Sequence, residues 1–150
     1  MPQSLSKILV HLIFSTKNRA PLLLKPIRPE LHKYMSGILN EWDSPGIIIG
    51  SVADHAHLLF TLSKNHALSK VVEHVKKGSS KWIKTQGTRY SNFHWQAGYG
   101  AFSVSQSNAP RVKSYIAHQE EHHRTRGFQD EFRAFLRRHQ VEFDERYVWD

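Results

Sequence analysis

Ile47-Ile-Ile-Gly-Ser-Val-Ala-Asp-His-Ala-His-Leu-Leu-Phe-Thr-Leu62 is the stretch on which the fold turns. It is rich in β-branched residues, has no helical period, and breaks once, near Asp54. Ile47 to Ala53 and His55 to Leu62 therefore read as two strands joined by a tight turn, and a tight turn imposes antiparallel pairing. The second strand sets His55, His57 and Leu59 on one face and Ala56, Leu58 and Phe60 on the other.

Working outward, Lys7 to Thr16 alternates Ile8, Val10, Leu12 and Phe14 against Leu9, His11 and Ile13, a strand with both faces largely buried. Pro26 and Pro29 open a helix to about Trp42 that carries Leu31, Tyr34, Met35, Ile38 and Leu39 at helical spacing, and Ser44-Pro-Gly46 ends it. A second helix spans about Leu68 to Thr85, with Leu68, Val71, Val72, Val75, Ser79, Trp82 and Ile83 on one stripe and the lysines elsewhere. Gly87 to Gly100 reads as an aromatic loop, and Ala101 to Ser105 as a fourth strand. Asn108 is placed as an N-cap, with Pro110 in the first turn of a third helix that runs to about Arg124, and Gly127 closes that segment. A last helix holds Phe128, Phe132, Phe135 and Leu136, with Asp130 and Glu131 early and Arg137 and Arg138 late, as the helix dipole favours. The tail Phe143 to Asp150 takes no assignment.

The order βαββαβ with further helix predicts an α+β, ferredoxin-like (RRM-like) antiparallel sheet, with helices on one face and an extra C-terminal helix. At 150 residues the chain suits a single domain, a core over about 5–125 followed by the helix and tail at about 126–150. No run approaches the ~18 apolar residues of a spanning helix. Ile8 to Phe14 is too short and too interrupted for a signal peptide, so the expected location is the cytoplasm, at the nucleoid when DNA is bound. The chain has no cysteine, which removes disulfides, zinc thiolates and cysteine nucleophiles. A formal charge of +8 favours a polyanionic partner, nucleic acid first.

On a strand, the residues flanking Ala56 project from the same face, so His55 and His57 are spaced to share one cation. The signal is weak alone: eleven histidines in 150 residues give about 0.8 such triplets by chance. Tyr115 and Gln119 stand one helical turn apart, so one can attack a phosphodiester while the other ligates a metal. Their bland reading is a core-covering tyrosine above a solvated glutamine. A helix start at Asn108 puts free N–H groups one to two turns before Tyr115, where a phosphate could settle.

Five collinear stretches then carry a resemblance: His11-Leu-Ile-Phe-Ser-Thr-Lys-Asn-Arg19, Asp54-His-Ala-His-Leu-Leu59, Lys77-Gly-Ser-Ser-Lys-Trp82, Trp95-Gln-Ala-Gly-Tyr-Gly-Ala-Phe-Ser-Val104 and Tyr115-Ile-Ala-His-Gln-Glu-Glu-His-His123. Over most of its length the chain resembles the HUH single-tyrosine transposases of the insertion-sequence-200 type, including those associated with repetitive extragenic palindromes. Ala56 is a small version of the hydrophobic residue between the two histidines. The resemblance implies a divalent metal, Mg2+ or Mn2+, held by His55, His57 and Gln119. It implies Tyr115 as the nucleophile on hairpin-bearing single-stranded DNA, giving a 5′-phosphotyrosine, and a homodimer with composite sites. A free tyrosine has a pKa near 10, so the metal or a base, with His11, His118 and His122 as candidates, must help deprotonate it.

Lys17, Arg19, Lys76, Lys77, Lys81, Lys84, Arg89, Arg111 and Lys113 are the expected DNA contacts near this site, interleaved with Tyr90, Phe93 and Trp95 as bases' stacking partners. The bland reading of these charges is a solvated helix face. No G-x-x-x-x-G-K loop occurs, so no nucleotide cofactor is expected. Two other functions fit the same residues: a metal nuclease that uses water, and a non-catalytic single-stranded nucleic-acid binding protein on an RRM-like sheet.

Overall fold

Four strands form one antiparallel sheet in the order β2-β3-β1-β4 in the computed structural model, which describes residues 2–150. They are β1 (Leu9–Ser15), β2 (Gly46–Ser51), β3 (His55–Thr61) and β4 (Gly100–Val104). Helix α1 (Arg28–Glu41) joins β1 to β2, and α2 (Leu68–Lys84) joins β3 to β4. Each crossover passes over an intervening strand, so the two central strands are β1 and β3, as in a ferredoxin-like sheet. The expected fold class is the one observed. Register is set by β1, where Leu12 faces Leu58 on one side and Ala101 on the other, and Ser15 faces His55.

Period-two alternation divides the sheet into two faces. Val10, Leu12 and Phe14 of β1 and Ala56, Leu58 and Phe60 of β3 pack with Leu31, Met35 and Leu39 of α1 and Val71, Val72, Val75 and Ile83 of α2. Tyr90, Phe93 and Trp95 belong to this same core, 3%, 0% and 7% exposed, so their rings are packed inside the protein and are not presented to bases. Trp95 meets its burial cost by donating from Nε1 to Ser79 Oγ at 2.9 Å.

The other face is covered as well, which is why β1 reads apolar on both sides. Helix α3 (Ala109–Ala117) lays Ile116 against Leu9 and Leu59, and α5 (Phe128–Arg138) lays Phe128, Phe132, Phe135 and Leu136 against Ile13 and Phe102. Two glycines permit these approaches. A Cβ on Gly50 would stand 2.7 Å from the Ile116 carbonyl oxygen, and one on Gly100 would stand 2.5 Å from the Phe132 ring. Phe143, Val148 and Trp149 of the tail pack on the α5 cluster, and Gly98 N–H donates to the Asp150 carbonyl at 2.9 Å.

Two local expectations are corrected. The third helix does not run unbroken to Arg124: His118 (φ −109°, ψ 33°) breaks it, and a short α4 (Gln119–His122) follows. Asn108 is already helical (φ −94°, ψ −7°) and caps nothing with its side chain. Ser105 serves instead, its Oγ accepting from Asn108 N–H at 3.2 Å, because a 3-10 turn over Gln106–Asn108 precedes α3.

Candidate metal centre

Strand alternation places His55 and His57 on the face under α3 and α5, both fully buried. Two further groups converge on them. Glu131, in the first turns of α5, lies 3.0 Å from His57 Nε2 and 3.3 Å from His55 Nε2 through Oε1. His123, just after α4, puts Nε2 3.0 Å from His55 Nε2 and 3.1 Å from Glu131 Oε2. Ligand atoms of these four residues all lie within 4.8 Å of one another. Gln119 Oε1 is 3.1 Å from His123 Nε2, at the same centre.

The outward nitrogen of every ring is occupied. His55 Nδ1–H donates to Asp54 Oδ1 at 2.7 Å, His123 Nδ1–H donates to the Arg126 carbonyl at 2.8 Å, and His57 Nδ1 meets His11 Nε2 at 2.8 Å. Each Nε2 is thereby the nitrogen turned inward, the arrangement that orients histidines on a metal. Two atoms about 2.1 Å from a common ion and at right angles stand about 3.0 Å apart. Separations of 3.0 to 3.3 Å among the inward atoms match that spacing, so these residues fit a divalent cation.

The electrostatics are set by burial and by Glu131. Burial opposes ionisation of Glu131, but hydrogen bonds from His123, His55 and His57 outweigh it and hold the carboxyl far below the usual range. Burial pushes His57 down to about 4. Burial would lower His55 too, yet its bonds to Asp54 and Glu131 raise it. His11 is held well below its ordinary value, by burial first and His57 second, so it stays neutral.

Tyr115 reaches this centre from α3 within the same chain, and its hydroxyl donates to Glu131 Oε2. Arg126 Nη2 approaches that hydroxyl at 3.4 Å. Burial and the Glu131 charge raise the Tyr115 pKa, so in this arrangement the phenol keeps its proton. The tyrosine ring stacks on His122 at 4.2 Å. Of the suggested bases, His11 hydrogen-bonds His57, His118 donates from Nδ1 to the Ser114 carbonyl at 2.7 Å, and His122 leaves Nε2 unpaired. The tyrosine hydroxyl bonds none of them.

Glu131 and His123 were not singled out in the sequence. The available signal was Glu131 standing between Phe128 and Phe135 on the apolar stripe of α5, where a carboxylate is out of place unless paired. His123 follows Gln119 by four residues and so shares its face.

The basic residues divide between two layers. Lys77, Lys81 and Lys84 ride on α2, across the sheet from the imidazoles, whereas Arg111 and Lys113 lie on α3, above the site face. Lys17 and Arg19 follow the end of β1 that pairs with His55, and Arg89 is exposed after α2. Lys76 points its charge inward: Nζ donates to the carbonyls of Gln96, Ala97 and Gly98 at 2.6, 3.3 and 2.8 Å, and burial lowers its pKa to about 8.

The fold matches that of a candidate transposase from Deinococcus radiodurans R1, with a TM-score of 0.62 at 20% identity over 79% of this chain and 98% of that one. It also matches a REP-associated tyrosine transposase bound to a REP hairpin, with a TM-score of 0.61 at 15% identity over 82% of this chain and 73% of that one. Both likenesses show the same α+β fold, an antiparallel βαββαβ sheet with helices packed on it. The family is settled by sequence: residues 4–119 match the family described as Transposase IS200 like, and the chain belongs to it. No curated protein matches. Among the described residues no helix is long and apolar enough to cross a membrane.

Proposed function

We propose that this transposase cleaves and rejoins single-stranded DNA at hairpin-flanked sites, with Tyr115 as the nucleophile and the cluster around His55, His57 and Glu131 as the seat of a divalent metal, Mg2+ or Mn2+. The observation that carries this reading is the single hydrogen-bonded unit of Tyr115 hydroxyl, Glu131 and three imidazoles, formed within one chain. Gln119 Oε1, at 3.1 Å from His123 Nε2, stands where it can add an oxygen ligand.

A bound divalent ion supplies positive charge to the scissile phosphate. The chain does the rest. Tyr115 Oη loses its proton to solvent as it bonds to phosphorus, the P–O3′ bond breaks, and the leaving oxygen takes a proton from solvent to become a 3′-hydroxyl, with the 5′-phosphate held on the tyrosine. Glu131 accepts the Tyr115 hydrogen bond and so orients the phenol toward the imidazole cluster. Reversal with a different 3′-hydroxyl joins strands. Arg111 and Lys113, on the tyrosine helix, are placed to steady the strand, with Lys77, Lys81 and Lys84 offering a second basic surface across the sheet for duplex stem. A homodimer is compatible with this site but not needed to complete it.

The test is incubation with Mn2+ and an end-labelled oligonucleotide carrying a hairpin with single-stranded flanks, followed by denaturing electrophoresis. A covalent protein-DNA adduct in the wild type and none in Tyr115→Phe is the expected result. Free cleavage products without adduct would assign the attack to water, and the absence of any cleavage would leave a nucleic-acid binding protein.

A further inference from the structure

Beside Gln119 opens a cleft of about 420 Å3 between α1, the end of β2 and the α3–α4 break, a volume within the range of small-molecule sites. Its walls are of mixed character. Ile49 and Ile116 are apolar, Ser51 and His32 are joined by a 2.7 Å bond between Oγ and Nε2, and Gln119 closes the end nearest the metal centre. Gln119 is 3% exposed, its Oε1 faces His123, and its Nε2 has no hydrogen-bond partner. An unpaired buried amide is costly, and a ligand acceptor would remove that cost.

The charges argue against phosphate as the occupant. Arg28 is already committed to Glu120 at 3.2 Å and to the Leu23 carbonyl at 2.8 Å, and Glu121 lines the same cleft, leaving Arg124 as the uncommitted cation. Apolar walls with a carboxamide, a hydroxyl and carboxylates suit instead a flat heterocycle bearing both donors and acceptors. A carboxamide pairs well with the edge of a base, and unpaired bases are read in such pockets.

We infer that this cleft holds an unpaired nucleobase of the DNA strand next to the scissile phosphate, read by Gln119 and by the His32-Ser51 pair. The inference rests on the proposed single-stranded substrate. It gives Gln119 a second contact on the side away from His123, so one side chain links base identity to the metal centre.

The test is an NMR titration of the full chain with each of the four deoxynucleoside 5′-monophosphates, with 2-deoxyribose 5-phosphate as the base-free control, following the Gln119 side-chain amide. One or two nucleotides should shift that resonance and bind at least about tenfold more tightly than the control, the discrimination a paired base edge supplies. Ser51→Ala and His32→Gln, checked for a native spectrum, should each reduce that preference several-fold. Equal shifts from all four nucleotides and the control, or shifts confined to the α2 lysines, would overturn the assignment, as would a preference untouched in both variants. A missing tyrosine adduct would refute the proposed reaction and leave this base site standing. An adduct formed by a protein whose Gln119 ignores bases would do the reverse.

Discussion

Glu131→Gln isolates one negative charge while keeping the side-chain shape. In the wild type the carboxylate is fully buried and takes contacts from His57 at 3.0 Å, His123 at 3.1 Å and the Tyr115 hydroxyl. An amide retains one acceptor and turns a donor toward the imidazoles. Losing one partner of a buried charged network costs about 3 to 5 kcal/mol. His55 keeps Asp54 as a counter-ion, so the lower figure applies, about 3 kcal/mol. For a chain of this size that corresponds to a fall of about 6 to 12 °C in melting temperature. The pH dependence has a definite sign. The folded carboxyl is held far below its ordinary value of 4.5, so its contribution is fully present above that value and is lost as pH falls below it. The gap between wild type and variant should therefore stay level from pH 7 to about 5 and narrow below about 4.5. Removing the only anionic member of the set should weaken Mn2+ by at least about 100-fold, since even outer contacts of such sites are worth 10- to 100-fold. Calorimetric melting in EDTA and Mn2+ titration measure the two effects. A variant that melts with the wild type in EDTA and binds Mn2+ equally well would refute both the charge pairing and the ligand set.

Three further outcomes are expected. Gly50→Ala forces α3 away, since its Cβ would sit 2.7 Å from the Ile116 carbonyl; overpacking should cost about 1 to 3 kcal/mol by melting, and displacement of Tyr115 should lower the adduct rate by about 100-fold, more than the loss of folded protein explains. Lys76→Met leaves three loop carbonyls without their donor and should lower stability by about 1 to 3 kcal/mol, with the salt slope of DNA binding unchanged, whereas Lys77→Ala should reduce that slope by about one if Lys77 meets a phosphate. His32 is held at about 4 by burial and by Arg28, so the unfolded chain takes up its proton first; stability falls as pH drops from about 6.5 to about 4, and His32→Gln should flatten that part of an acid-unfolding profile.

The sheet was legible because its strands announce both period and partner. The Ile47 to Leu62 hairpin and the doubly apolar β1 leave one sensible topology once two amphipathic helices separate them. His55 and His57 were legible for the same reason, since a strand puts i and i+2 on one face. Glu131 was not, because its neighbours in space are 74 and 76 residues away in sequence, and helix polarity offered a sufficient reason for an acid in the first turn of α5. The aromatic loop misled in the opposite direction. Tyr90, Phe93 and Trp95 sit between α2 and β4 in a segment with only a 3-10 turn and one isolated bridge, where exposure is the default, yet they belong to the core under α1 and α2. Lys76 shows the same failure for charge: its helical face is basic, but the loop at Gln96 to Gly98 folds back over it and presents carbonyls.

The sheet face that carries His55 and His57 joins two requirements that the family-matched span of residues 4–119 does not meet alone. Ile13 and Phe102 on that face need an apolar cover, and the stripe Phe128, Phe132, Phe135 and Leu136 provides it. A helix that buries 128, 132 and 135 must also turn position 131 toward the sheet. Whatever residue stands there is pressed against His55 and His57. Were it apolar, the imidazoles would face each other across a neutral gap, and a divalent ion would meet three rings and an amide. Because it is Glu131, the helix that completes the core also delivers the one negative charge at the centre, and that charge costs folding energy unless imidazolium or metal answers it. Docking of α5, charge balance among the imidazoles and retention of the Tyr115 proton are then one event, since the same carboxylate takes part in all three.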